Sequence, residues 1–203
     1  MDVMEAIQKR RSIRRYKSDD IPDDVLDRLL NAMRLAPSAK NRQPWKFVVV
    51  RDRTIKSKVA AACSWRTADG KLVSQNWIAE APVVIVACGF EKEAAVRYCK
   101  KGDVITADWV ALEAEMAQAP IEYESALPWD MAIAMDHLML AATAEGLGTC
   151  WVGGLNEEEM KEILSIPDDV RAPLAMVLGY PVSWPGPRRR KSLGEIICYN
   201  KYS

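Results

Sequence analysis

The 203-residue sequence predicts a layered domain of mixed helix and strand, α+β or α/β. Three observations carry that prediction. A helical stripe of Val25, Leu26, Leu29, Leu30 and Met33 is followed, across a polar loop, by residues 46–51, which read as a strand around Phe47, Val48, Val49 and Val50, the order of a helix, a loop and a buried strand. Val83, Val84, Ile85, Val86, Ala87 and Cys88 are apolar at every position, as a central strand covered on both faces requires. Residues 130–145 are apolar almost all round, as expected of a helix in the middle of the domain or at a dimer interface.

The elements follow in order. Asp2 with Glu5 three residues on is a capping-box pattern, and Val3, Ala6, Ile7 and Arg10 lie at helical spacing. A first helix therefore delivers the basic run 9–16 at its C-terminal end. Pro22, Asp23 and Asp24 open a second helix, because the fixed φ of proline and early acidic charge both suit a helix start, and Pro37 closes it. Residues 52–65 read as a helix with Ile55, Val59, Ala62 and Cys63 on one side, followed by a turn at Asp69 and Gly70. Residues 75–81 form a short helix ended by Pro82, ahead of the strand 83–88.

After the long helix 130–145, Gly146, Leu147 and Gly148 form a stop, residues 149–152 a short strand, and Gly153 and Gly154 a turn. Asn156 with Glu159 caps a helix to about Ser165, and residues 172–179 read as the last strand. The tail 181–187 holds three prolines and one glycine and feeds a second basic cluster, residues 188–191. Residues 90–128 read as an excursion or lid with a helix over 109–116, in which Trp109 and Tyr123 either cover a planar ligand or, as aromatics at such positions more often do, simply pack. No repeat or linker divides the chain, so one domain over residues 1–203 is expected.

Lys plus Arg and Asp plus Glu balance at 28 each, so no net charge draws the molecule to nucleic acid or to an anionic membrane. Any basic site must be local. Early acidic residues, where a secretory signal needs a basic region, and the lack of an 18-residue apolar run predict a soluble, cytoplasmic protein. Five cysteines without C-x-x-C spacing read as buried free thiols rather than disulfides or a zinc site. The single histidine, His137, sits in the apolar helix and reads as a satisfied core residue, so His-based catalysis and metal chemistry are not expected.

Lys9, Arg10, Arg11, Ser12, Ile13, Arg14, Arg15 and Tyr16 place five cations and two hydroxyls in eight residues. A run like this also occurs as a solvated face, and one or two cations at a helix C-terminus only offset the macrodipole. Joined by Arg188, Arg189, Arg190 and Lys191, however, it has the forks that match phosphate oxygens bidentately, with the Ser12 hydroxyl beside them. Gly153 and Gly154 permit either a tight turn or close approach of backbone N–H groups to a ligand. No G-x-G-x-x-G or P-loop pattern is present, so neither a Rossmann nor a Walker-type phosphate site is expected.

These residues carry a resemblance to the FMN-dependent nitroreductase family, of the short type. It rests on residues 10–16, on the stretch 36–45 that includes Pro37, Ser38, Ala39, Asn41 and Trp45, on the glycine-rich stretch 146–155, and on residues 188–193. The four motifs stand in the family's order across nearly the whole chain, with residues 90–128 outside it.

The resemblance implies an α+β, three-layer homodimer with a central, mostly antiparallel sheet flanked by helices and FMN at the subunit interface. Arg10, Arg11, Ser12 and Arg14 would hold the phosphate, ribityl chain and pyrimidine edge, and Arg188 and Arg190 would complete the phosphate clamp. Pro37, Ser38, Ala39 and Asn41 would come from the partner subunit. Gly153 and Gly154 would present backbone N–H groups at the flavin N5 and O4, and Gln75 or Asn76 would reach the pyrimidine. Arg14 is the candidate cation near N1 and O2. Lys9 and Arg15 remain solvent-facing charges.

The implied activity is ping-pong reduction of electron-poor acceptors, nitroaromatics or quinones, by NADH or NADPH, with no catalytic side chain and no metal. A specialised reductive dehalogenase, an enone reductase or a low-turnover flavin-binding storage or redox-sensing protein would share the fold.

Overall fold

A computed structural model describes residues 1–90, 95–96, 124–125 and 127–202. The centre is a four-stranded sheet in the order β1-β4-β8-β7, from β1 (Trp45–Val50), β4 (Val83–Gly89), β7 (Gly148–Val152) and β8 (Arg171–Gly179). Every pair in it is antiparallel, with Val48 opposite Val86, Val86 opposite Ala175, and Cys150 opposite Val177. The fold is α+β. Two short pairs, β2 (Trp65–Arg66) with β3 (Leu72–Val73) and β5 (Ala95–Val96) with β6 (Glu124–Ser125), stand apart from it.

Strand β4 organises the layers because all seven of its residues are buried. Val83, Ile85 and Ala87 point to one side, where α2 (Asp23–Arg34) and α5 (Leu127–Ala144) supply Leu29, Met33, Met131, Met135 and Leu138. Val84, Val86 and Cys88 point to the other side. There α3 (Arg53–Ala62), α4 (Trp77–Glu80) and α6 (Glu157–Leu164) supply Val59, Ile78 and Met160. The period-2 alternation of a strand turns one apolar run into two half-cores, each buried branched side chain stabilising by roughly 1.5–3 kcal/mol.

Local chemistry sets the helix ends. Asp2 and Glu5 form a reciprocal capping box at α1 (Val3–Lys9), Asp52 caps α3, and Asn156 caps α6. Helix α6 closes on Ser165 in the left-handed conformation.

Three expectations need correction. His137 is exposed, not in the core, with its Nδ1 2.9 Å from the Ile133 carbonyl. Helix α5 is apolar almost all round, but only one face meets α2 and the sheet, leaving Trp129 66% and Ile133 38% exposed beside His137. Of the stripe proposed for α1 only Ala6 is buried, with Val3 and Ile7 facing outward. Cys63, Cys88 and Cys150 are buried free thiols as expected, while Cys198 in the tail is exposed. The helix expected over 109–116, Trp109, Tyr123 and Cys99 lie outside the described residues.

Candidate functional site

After α1 the basic run leaves the helix and lies extended beside the sheet. Ser12 bridges Thr149 of β7 in parallel, and the Ile13 N–H donates to the Thr149 carbonyl at 2.8 Å. Tyr16 then bridges Pro181, with the Lys17 N–H on the Tyr180 carbonyl at 2.8 Å and the Val182 N–H on the Arg15 carbonyl at 3.1 Å. Between these anchors Ile13 is 2% exposed. Alternation then sends its neighbours Ser12 and Arg14 outward.

The tail returns along the same path. The Arg11 guanidinium donates to the carbonyls of Gln8 at 2.7 Å, Arg10 at 2.8 Å and Gly186 at 3.2 Å. It thereby clips the end of α1 to the proline-rich segment. The Lys9 ammonium lies 5.8 Å from the centre of the Trp184 ring, a second tie between the two stretches.

The result is a cleft of about 580 Å³ in which Arg10, Arg11, Ser12 and Arg14 face Arg188 and Arg190, with Pro185 and Pro187 in its wall. The two clusters, far apart in sequence, meet. Among the described residues no carboxylate lines this cleft and no salt bridge is formed by any of its five arginines. Like charges gathered without a counter-ion repel one another, so the arrangement is one that an anion relieves.

Arg14 has its guanidinium 5.5 Å from the centre of the Trp77 ring, which fixes a cation over an aromatic face and brings the start of α4 to the cleft. Beneath the run lies Cys150, whose thiol burial pushes up, with Arg14, Arg10 and Ser12 acting the other way. Burial likewise raises Cys63 to about 12 and Cys88 to about 11. These thiols stay protonated near neutral pH and are poor nucleophiles. The Tyr16 phenol, raised by burial above all, is neutral and donates to the Ile13 carbonyl at 2.5 Å.

Gly153 and Gly154 follow β7 and are exposed, and a Cβ on either would meet nothing within 4 Å among the described residues. Their backbone is open to an external group. Gln75 directs its amide nitrogen to the Cys63 carbonyl at 2.7 Å, while Asn76 is exposed on a separate cavity of about 480 Å³ between α3 and α4.

Pro37, Ser38, Ala39 and Asn41 are not in the arginine cleft. They precede β1, whereas the basic run lies along β7, and these are the two outer strands of the described sheet. Three strand spacings, roughly 14 Å, separate those strands. The cleft-lining residues that the sequence reading missed are Ile7, Gln8, Pro185 and Pro187. Trp77 against Arg14 was missed as well. Helical spacing after Asp2 and the prolines beside the second cluster were the available signals for the cleft walls; nothing local marks Trp77.

The Nitroreductase family model matches residues 7–180. The chain belongs to the nitroreductase family. A putative NADH dehydrogenase/NAD(P)H nitroreductase of Methanothermobacter thermautotrophicus is 32% identical to this nitroreductase-family chain over 193 residues, covering 93% of it and 82% of the relative. An FMN reductase [NAD(P)H] of Bacillus subtilis is 27% identical, covering 89% of the chain and 66% of that protein. The crystal structure of a nitroreductase family protein from Clostridium novyi NT superposes with a TM-score of 0.68 at 32% identity, over 89% of this chain and 86% of that one. The antiparallel sheet between helical layers is thus the family's fold. No described helix is long and apolar enough to cross a membrane.

Proposed function

We propose that this protein is an FMN-dependent NAD(P)H oxidoreductase that reduces small electron-poor acceptors such as nitroaromatics or quinones. The observation that carries the reading is the cleft itself, five arginines and Ser12 on one wall system with no carboxylate among the described residues that line it. A phosphate monoester is the anion that this donor set fits, through bidentate guanidinium contacts and one hydroxyl. Family membership and the relative named FMN reductase supply the rest of the ligand.

Arg10, Arg188 and Arg190 take the phosphate, and Ser12 donates to it. Arg11, whose donors already reach three backbone carbonyls, keeps the tail in place. Arg14, held against Trp77, is the fixed cation for the electron-rich pyrimidine edge. Gly153 and Gly154 are exposed, and no described atom would crowd a Cβ on either, so a ligand can approach their N–H groups closely. When bound, FMN supplies the two-electron chemistry between NADH or NADPH and the acceptor, so the chain's task is binding, orientation and charge.

The working unit in this reading is a homodimer. Pro37, Ser38, Ala39 and Asn41 lie at the far edge of the sheet from the cleft, so they serve the site of a second copy. Trp129 and Ile133 on α5, and Leu193, Ile196 and Tyr199 in the tail, are apolar and exposed, and such surfaces suit an obligate interface.

Purified protein incubated with FMN and desalted should keep the flavin spectrum, bleach with NADH or NADPH without oxygen, and recolour with a nitroaromatic. Loss of all flavin absorbance on desalting would sink the proposal. Bound flavin that neither nicotinamide reduces would instead mark a storage or sensing protein.

A further inference from the structure

We propose that Asp130 is a positioning residue for the loop 37–44, holding it through the Ala39 N–H in the conformation that the flavin site requires. This rests on the reading of that loop as part of a neighbouring subunit's site. Asp130 lies in the first turn of α5 and is 5% exposed. Its Oδ1 accepts the Ala39 N–H at 3.3 Å, and its Oδ2 is buried with no hydrogen-bond partner among the described residues. Burial pushes this carboxyl up, while the Ala39 N–H and the charge of Arg42 draw it down.

A half-satisfied carboxyl in the interior destabilises the fold, and an apolar side chain of similar size would be tolerated there or better. Its use therefore lies in what it holds. The loop needs holding. Asn41 and Gln43 both adopt left-handed backbone, with φ of 56° and 52°, a conformation that costs energy for residues other than glycine. Within the loop the Gln43 N–H donates to Ser38 Oγ and the Asn41 N–H to the Ser38 carbonyl, each at 2.9 Å. At its end Pro44 is buried and accepts the Phe90 N–H at 3.0 Å. The hydrogen bond from the Ala39 N–H to Asp130 ties the strained stretch to α5.

Two variants break this bond from opposite sides. Asp130→Leu removes the acceptor. Ala39→Pro removes the donor at a position that accepts proline, since Ala39 opens a short 3-10 turn and Ser38 before it is extended, with φ −138° and ψ 162°. Thermal unfolding and amide exchange of the FMN-free full chain and the FMN dissociation constant are measured for wild type, both singles, the double and Asp130→Asn.

The expected results are an unfolding midpoint for Asp130→Leu at or above wild type, faster exchange at Asn41 and Gln43, and FMN binding about tenfold weaker. The double variant should bind no worse than either single, and Asp130→Asn, which keeps Oδ1, should bind within a few fold of wild type. Wild-type exchange at Asn41 and Gln43 in Asp130→Leu overturns the inference, as does a lowered midpoint that Asp130→Asn shares. Multiplying losses in the double also overturn it. If wild type itself binds no FMN, the flavin reading fails, while the exchange data still decide the role of Asp130.

Discussion

Arg11 Nε donates to the Gly186 carbonyl at 3.2 Å across 175 residues of sequence, and that contact makes one cleft out of two basic stretches. The same guanidinium also holds Gln8 and Arg10. Arg11 is therefore a buckle more than a ligand. Arg11→Ala should free the tail, raising the rate of proteolytic cleavage within residues 183–192 several-fold and weakening FMN binding by about 1–2 kcal/mol. Arg11→Lys should behave alike, because one ammonium cannot reach three carbonyls from one planar fork. Cleavage unchanged in both variants would mean that the tail is held elsewhere.

Gly148 and Gly154 predict opposite behaviours. A Cβ on Gly148 would come within 2.4 Å of Ile13 Cγ1 and 2.8 Å of Ile13 Cβ, pushing out the residue that anchors the basic run. Gly148→Ala should cost about 1–3 kcal/mol of stability in urea unfolding, as overpacking does. At Gly154 a Cβ meets nothing within 4 Å among the described residues, so Gly154→Ala should unfold like wild type yet retain FMN less well. Equal stability of the two variants would contradict this division.

Glu157 tests the electrostatics that hold the end of the sheet. Burial acts to raise its carboxyl, but the Arg171 guanidinium at 2.8 Å and the Ala172 N–H at 2.7 Å hold it below the usual glutamate range. A depressed folded-state pKa contributes stability above the unfolded value, and that contribution is lost as pH falls through the folded one. Glu157→Gln should thus cost about 1–2 kcal/mol at pH 7 and progressively less below about pH 4.3, the unperturbed value. Stability curves that stay parallel between pH 7 and pH 3 would contradict the assignment.

Much of the fold is legible in the sequence because the signals are local. The uniformly apolar run 83–88 becomes a strand buried on both faces, and the caps at Asp2 and Asn156 mark two helix starts. What is not legible is long-range or directional. The pairing of Ser12 with Thr149, and Arg11 with Gly186, joins segments whose spacing carries no trace of the other. Helix α5 is apolar almost all round, so its weak periodicity does not single out Trp129, Ile133 and His137 as facing outward. Arg14 on Trp77 and Asp130 on Ala39 depend on tertiary packing alone.

Whether the arginine cleft binds the FMN phosphate is decided by comparing FMN with riboflavin, since the two differ only in that group. The dissociation constants of both are measured for wild type and Arg190→Ala. Wild type should favour FMN by on the order of a hundredfold, and the variant should lose about 1–3 kcal/mol of that preference while binding riboflavin as before. An FMN preference that survives Arg190→Ala, and equally Arg10→Ala, would contradict the account.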